Sequence, residues 1–596
     1  MRRLRMTLCL LCLVTLFIAG CKKKTTTNQT NKRQAPKALK ISKAGKSMLE
    51  LLPKQAKDIF YIPTIGAIPP QLDTFLERFE GSKEGQVRKL VGASEQRFGI
   101  NPLKLKEFSQ AGFDTKGSLA VARVHVNKRP VMLLAIALSN ASTFEAKLKS
   151  IAKEKLAVRE FKKTTLPKGK GVCITAYGKN SFDQPVEEFA YMIKKKTALL
   201  AVDLGPAGTL DPEAKVKHTT WSADALTFTL SLPSEKTLKT SETFFAATQH
   251  AGGAQLLHFT ENQWASDAAA QKAALKRFSK NINLHRLLRQ PQRLLQLRSR
   301  LPWNWSTTTV KVSPKSVRFG SFLRLPQSAQ GLAKSLENKD TKPAVLLEGL
   351  HKDAVLAMKL SLKPKQLDAL FRQSTKNLPV KAATVYEALK KSIGVDIPKD
   401  VLPNLTGQAI GALYGVNPKI VMRAARNPMV LPGQLHLGVV AEIKDPKKLI
   451  PVLEKLKATI KFGRRGATAR KEDGVTVYRI PVPAWPGILA HWAVYKNHFI
   501  YSIGPEAFKL TLDALKNPKN RLFTPEQAGV LGGKNAGAVY LGFGRLKEVA
   551  SSLTLSFGMR LFIASTLQKL RRVNGLTLSF GPTKTGLQLQ GELRVR

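Results

Sequence analysis

The strongest constraint on the fold is an internal repeat with a period near 300 residues in the 596-residue chain. Asp58-Ile59-Phe60-Tyr61 and Pro70-Gln71-Leu72-Asp73-Thr74-Phe75 match Asp353-Ala354-Val355-Leu356 and Lys365-Gln366-Leu367-Asp368-Ala369-Leu370, both at an offset of 295. Each pair reads as a strand followed by a helix. Residues 131–138 and 435–443 are apolar strands, each followed by helical spacing. That spacing is carried by Phe144, Leu148 and Ile151, and by Leu449, Val452, Leu453 and Leu456. Gly171-Val172-Cys173-Ile174 matches Gly474-Val475-Thr476-Val477. A hairpin with a Lys-rich turn then ends in Leu204-Gly205-Pro206, and its counterpart, turning at Lys496-Asn497, ends in Ile503-Gly504-Pro505, at an offset of 299. The last pair is 309–325, turning at Pro314, and 576–595, turning at Pro582. Both alternate apolar and polar residues, as antiparallel strands do.

Six matches in one order call for a duplication. Hairpins mixed with helices, without a βαβ rhythm, predict an α+β fold of two similar halves, each an antiparallel sheet with helices packed on one face. The expected divisions are 1–20, 21–45, a first half at 46–330 and a second at 331–596. Either separate domains or one continuous sheet satisfies the pattern. The offset falls to 268 at the last hairpins, so the first half carries extra residues after a strand expected at Ala225-Leu226-Thr227-Phe228. They include a basic helical segment at about 264–305. The body resembles uncharacterised families of secreted bacterial proteins with duplicated α+β halves.

The beginning of the chain carries a different signal. Arg2, Arg3 and Arg5 precede an apolar run, 6–19, that is too short to span a bilayer. Ile18-Ala19-Gly20-Cys21 then resembles the lipobox of bacterial lipoproteins. The resemblance implies cleavage between Gly20 and Cys21, and a diacylglyceryl group on the Cys21 sulfur, with the membrane as partner. Lys22, Lys23 and Lys24 open a polar tether of about 21–45, where each lysine adds about 1 kcal/mol of attraction to anionic headgroups. Lys22 stands where an Asp favours inner-membrane retention in enterobacterial relatives, so the expected address is the cell envelope, at the outer membrane rather than the inner.

The formal charge is +56, and +53 once the three signal arginines are removed. Such a balance speaks to partners rather than fold. From 268 to 336 there are 69 residues with 14 Lys or Arg and no acid. Arg286, Arg289 and Arg293 share a helix face, Arg298 and Arg300 follow, and Trp303 and Trp305 come next at strand spacing. This is a candidate surface for an anionic polymer: lipopolysaccharide, acidic glycan or extracellular nucleic acid.

Catalytic motifs are missing. The nine histidines show no HExxH, and no Gly-x-Ser-x-Gly elbow occurs. Gly45-Lys46-Ser47 lacks the rest of a phosphate loop. His491 and His498 lie on two arms of one hairpin and are expected as satisfied strand residues. Glu187, Glu188 and Asp203 are expected as exposed strand-end charges. Cys173 alone survives acylation and processing, which excludes an intramolecular disulfide and predicts a buried apolar role. No cofactor and no metal are implied. The leading expectation is a non-enzymatic binding or scaffolding lipoprotein. Its alternatives are the anionic-polymer binder, a carrier of an apolar ligand and a hydrolase without a familiar motif.

Overall fold

The computed structural model describes residues 39–80, 99–126, 129–166, 171–179, 185–203, 221–261, 303–327, 345–366, 394–416, 435–459, 465–481, 489–523, 536–552 and 572–595, with isolated exceptions and additions. The chain divides into two compact units, and within the described residues the division falls after Arg324.

Among the described residues the first unit has ten strands: β1 (Asp58–Ile62), β2 (Leu119–Val126), β3 (Arg129–Ala137), β4 (Glu160–Thr165), β5 (Val172–Lys179), β6 (Pro185–Lys194), β7 (Thr197–Asp203), β8 (Leu256–Glu261), β9 (Trp305–Ser313) and β10 (Ser316–Arg324). All its pairings are antiparallel, in the order 4-5-6-7-3-2-1-8-9-10. Its helices are α1 (Lys43–Leu49), α2 (Pro69–Glu80), α3 (Leu105–Gln110), α4 (Ala141–Leu156), α5 (Trp221–Ser231) and α6 (Glu242–Gln249). Asn140 starts α4 by accepting the Thr143 N–H on its side-chain oxygen at 3.1 Å.

The second unit contains β11 (Leu356–Ser361), β12 (Leu405–Val416), β13 (Leu435–Ile443), β14 (Thr468–Glu472), β15 (Val475–Pro481), β16 (Leu489–Tyr495), β17 (His498–Ile503), β18 (Gly537–Gly542), β19 (Val573–Thr583) and β20 (Gly586–Val595). Its helices are α7 (Pro446–Thr459), α8 (Pro505–Lys516) and α9 (Phe543–Ser552). Its strands pair antiparallel in the order 14-15-16-17-13-12-11-18-19. These nine strands follow the first nine of the first unit's order with every number raised by ten. Strands β4 and β14, at the same end of the two orders, expose Lys162 and Lys163, and Arg470 and Lys471. Charges there discourage further strand addition.

Helices pack on both faces of each sheet, not on one. In the first unit α5 lies with Ala190 and Ala201, while the Tyr191 hydroxyl, on the other face, donates to Glu145 of α4 at 3.1 Å. In the second, α8 covers Val477, Ala493 and Ile500, and α7 packs opposite, against Trp492, Val494 and Phe499. The physical sign is continuous burial along strands such as β3 and β6, where both parities are covered.

The expected strand at Ala225–Phe228 is helical and belongs to α5. Thr227 and Thr229 donate their hydroxyls to the Ala223 and Ala225 carbonyls. Packing on β6 and β7 overrides the β preference of Thr and Phe. The last hairpin turns at Lys584-Thr585 rather than at Pro582, because Thr583 Oγ1 accepts the Thr585 N–H and donates to the Gly586 carbonyl.

Candidate functional site

Strand register determines which side chains share a face, and in the second unit it gathers polar ones on the α8 side. Three rows cross the sheet there. The first runs Arg479, His491, Ser502, Gly438, Ala412, Ala357. The middle row is Val477, Ala493, Ile500, Val440, Ile410, Lys359. The third runs Tyr495, His498, Glu442, then Gln408 and Ser361. Between Glu442 and Gln408 the ladder is irregular, and Gln408 Nε2 bridges it by donating to Glu442 Oε2 at 3.0 Å.

These polar groups are deeply buried and several lack partners. Ser361 is 1% exposed, Gln408 2%, His491 3%, His498 6% and Ser502 not at all. Ser361 Oγ, Gln408 Oε1, His491 Nδ1 and Ser502 Oγ have no hydrogen bond, while His498 has the Tyr495 backbone as its polar neighbour. Arg479 Nε is also unpaired, while its Nη2 pairs with Glu472. An unsatisfied buried donor or acceptor costs about 1–3 kcal/mol. Burial pushes the His491 and His498 rings below the ordinary imidazole range; Arg479 adds to the drop at His491, while Glu348 and Glu442 oppose it at His498.

Several of the same positions in the first unit are apolar, although Thr175 and Thr197 stand at those of Arg479 and His498. Four pairs from the hairpin turn, His491 and Ser502 stand where Ala190 and Ala201 stand. Glu442 and His498 occupy the places of Ala137 and Thr197. Lys359 takes the place of Tyr61, whose hydroxyl donates to Ser118 Oγ at 3.2 Å. Around Tyr61 the first unit packs a continuous core that includes Phe244, Phe259, Leu133 and Leu199.

The rows exclude some chemistry. His491 and His498 are four residues apart in register, roughly 13 Å, too far to share a metal. Ser361 and His498 are separated by three strand spacings, roughly 14 Å, so they form no nucleophile–base pair. Among the described residues no cluster of three His, Cys, Asp or Glu gathers as a metal site. Elsewhere, His258 Nε2 meets both Asp58 Oδ1 and Thr260 Oγ1. A catalytic triad needs the carboxylate and the nucleophile on opposite ring nitrogens. His351 is satisfied: its Nδ1 accepts the Asp353 N–H at 3.2 Å and its Nε2 lies 3.3 Å from Asp513 Oδ2.

Gly20, Cys21, Lys22, Lys23, Lys24, Arg286, Arg289, Arg293, Arg298 and Arg300 lie outside the described residues. Trp305 is buried among His250, Phe259 and Phe322, so it belongs to the core of the first unit and not to an exposed aromatic surface. Glu187 and Glu188 are buried, not exposed strand-end charges. Glu187 accepts the Ser222 N–H at 2.6 Å, at the start of α5, and Glu188 packs on Gly178 beside an irregularity in the β5–β6 pairing. Cys173 is buried, and burial pushes its thiol up to about 11. His491 and His498 do lie on one hairpin, and His491 is not satisfied there, because its Nδ1 has no partner. Lys359, Ser361, Gln408 and Ser502 were not singled out by sequence; the usable signal is β11, which buries Lys359 and leaves Met358 44% exposed.

No protein-family model and no curated protein matches the chain. Among solved structures it is similar to TP0453. Crystal form I aligns at 10% identity over 47% of this chain and 78% of that one, with a TM-score of 0.21. Crystal form III aligns at 11% identity over 49% and 86%, with a TM-score of 0.22. Likeness at this level determines neither fold nor activity.

Ser361→Ala and Ser502→Ala each remove an unpaired hydroxyl, so each raises stability by about 1 kcal/mol in urea unfolding. A loss of stability in both would show that the hydroxyls are satisfied. The depressed histidines also set a pH dependence. The unfolded chain takes up protons first, so the stability from neutral His250, His351, His491 and His498 is complete above about 6.5 and is lost as pH falls toward their folded values. Thermal melts between pH 8 and 5 therefore show a fall in Tm on acidification, and His491→Gln flattens it.

Proposed function

We propose that this chain is a lipid-anchored cell-envelope protein with a non-enzymatic binding role, built from two duplicated α+β units. The first unit supplies a scaffold whose corresponding face is the more apolar one. The second binds a polar ligand on its α8 face. The observation carrying this reading is the contrast at matched register: Ala190, Ala201 and Ala137 in one unit against His491, Ser502 and Glu442 in the other. Unpaired polar groups in a core are retained at a cost in stability, and binding is the return that offsets it. No histidine–nucleophile or carboxylate pair in these rows reaches catalytic geometry, which favours binding over hydrolysis.

Anchoring rests on the ordered signal that ends in Ile18-Ala19-Gly20-Cys21. Two or three acyl chains on Cys21 hold the protein at the membrane, since each buried methylene contributes about 0.8 kcal/mol. Among the described residues no helix is long and apolar enough to cross a membrane. Lys22, Lys23 and Lys24 lie at headgroup level, and the outer membrane is the favoured address.

Cys21→Ala leaves an unlipidated, uncleaved precursor, read as a mass larger than that of the wild type's polypeptide and as loss of acyl mass after proteolysis. Normal cleavage of the variant to a soluble form would show an ordinary secretory signal instead.

A further inference from the structure

We propose that the first row of the second unit, closed by the N-terminal turn of α8, is a binding site for an anionic group, a phosphate or carboxylate, held by Arg479, His491 and Ser502. The proposal rests on the binding role given to the α8 face and names the chemistry of one end of it.

Three observations converge there. Helix α8 is 12 residues long and starts at Gly504, which has φ +87 and no side chain to accept the first-turn N–H groups. Its N-terminus carries about half a positive charge, and past Pro505, which has no N–H, its first-turn backbone donors point out of the helix end. Ser502 lies two residues before that cap, fully buried, with its Oγ unpaired. His491, paired with Ser502, has an unpaired Nδ1 and a ring 6.0 Å from that of Phe508, in the first turns of α8.

Gly438 continues the row and lets α8 approach closely. A Cβ there would collide with Thr511 Oγ1 and stand 3.5 Å from the Ala507 carbonyl. The helix start is therefore pressed onto this row. Arg479, at the row's outer end, keeps Nε unpaired while Glu472 engages Nη2. Its side chain is 30% exposed, which gives the row contact with solvent. Arg479 Nε–H, the Ser502 hydroxyl, a His491 ring N–H and the helix N-terminus all donate. The complementary ligand is an acceptor with negative charge.

Proton linkage follows from the charges around His491. Arg479 faces it from β15 and Glu472 from β14, and Glu506 stands in the first turn of α8. Burial and Arg479 keep the empty ring neutral. A bound anion offsets Arg479 and favours the protonated ring, so binding takes up a proton and strengthens as pH falls.

The test uses the full mature lipidated chain in neutral detergent, with imidazole NMR of His491 and His498. The probes are inorganic phosphate, acetate, vesicles containing phosphatidylglycerol, and uncharged glucose. Phosphate shifts His491, raises its titration midpoint and leaves His498 unmoved, and its affinity is higher at pH 6 than at pH 8. Arg479→Gln and Ser502→Ala each weaken phosphate binding about tenfold or more. A response to free phosphate without vesicles assigns a soluble ligand, and a response to vesicles assigns a headgroup; both support the site. No shift of His491 with any anionic probe overturns it, as does unchanged binding in both variants or an equal response to glucose. Such a failure leaves the polar third row and the Cys21 anchor standing, because neither Ser361→Ala nor Cys21→Ala reads this site.

Discussion

Strand register is the constraint on which the rest depends. A slip of one residue would turn every side chain of a strand to the opposite face. In the second unit, continuous pairing from β15 to β11 places Lys359, His491 and His498 on the α8 face whatever their polarity. The apolar neighbours Ile410, Val440 and Ile500 hold that register, because together they form the middle row and are buried. The polar rows are carried into the interior by the apolar one between them.

The energetic consequence differs between the units. The first unit fills its corresponding face with one continuous apolar cluster, from Met48 on α1 to Phe322 on β10. The second divides its core into smaller clusters, one under Val440 and Tyr414, another under Ile500 and Phe508, and a third under α7. Each apolar side chain fully buried contributes about 1.5–3 kcal/mol, and each unpaired polar group subtracts a comparable amount. The unpaired Ser361, His491 and Ser502 groups subtract from the surplus of the second unit, as Gln71 Oε1 and Ser222 Oγ do in the first. Under the proposed binding role, a ligand with complementary hydrogen bonds offsets that cost.

Much of the architecture was legible in the sequence. Glycines before β5 and β15, short Lys-bearing turns in the β6–β7 and β16–β17 hairpins, and alternating terminal strands located matching elements in both units. The turn glycines Gly171 and Gly474 have φ +115 and +78, a backbone region other residues seldom adopt, which is why they mark the same place. Helix α5 was misread because local β preference in Ala225–Phe228 carries no information about packing on β6 and β7. Burial of Trp305 depends on His250 and Phe259, and that of Glu187 on the start of α5, contacts that no local pattern announces. The polar rows were illegible for the same reason: Ser361, Gln408, Glu442 and His498 come from four separate strands, and only pairing brings them together. The sequence places His491 and His498 on one hairpin, but nothing local reveals that His491 Nδ1 lacks a partner.

The central claim is that the second unit gives up core stability for a polar binding face. Native-state hydrogen exchange on the full chain measures this directly, using the amides of Ile410, Val440 and Ile500 against those of Ala120, Ala135 and Leu199 at matched register. The account predicts lower opening free energies in the second unit, by about 2 kcal/mol or more, given unpaired groups that cost about 1–3 kcal/mol each. Equal or greater protection at Ile410, Val440 and Ile500 would contradict it.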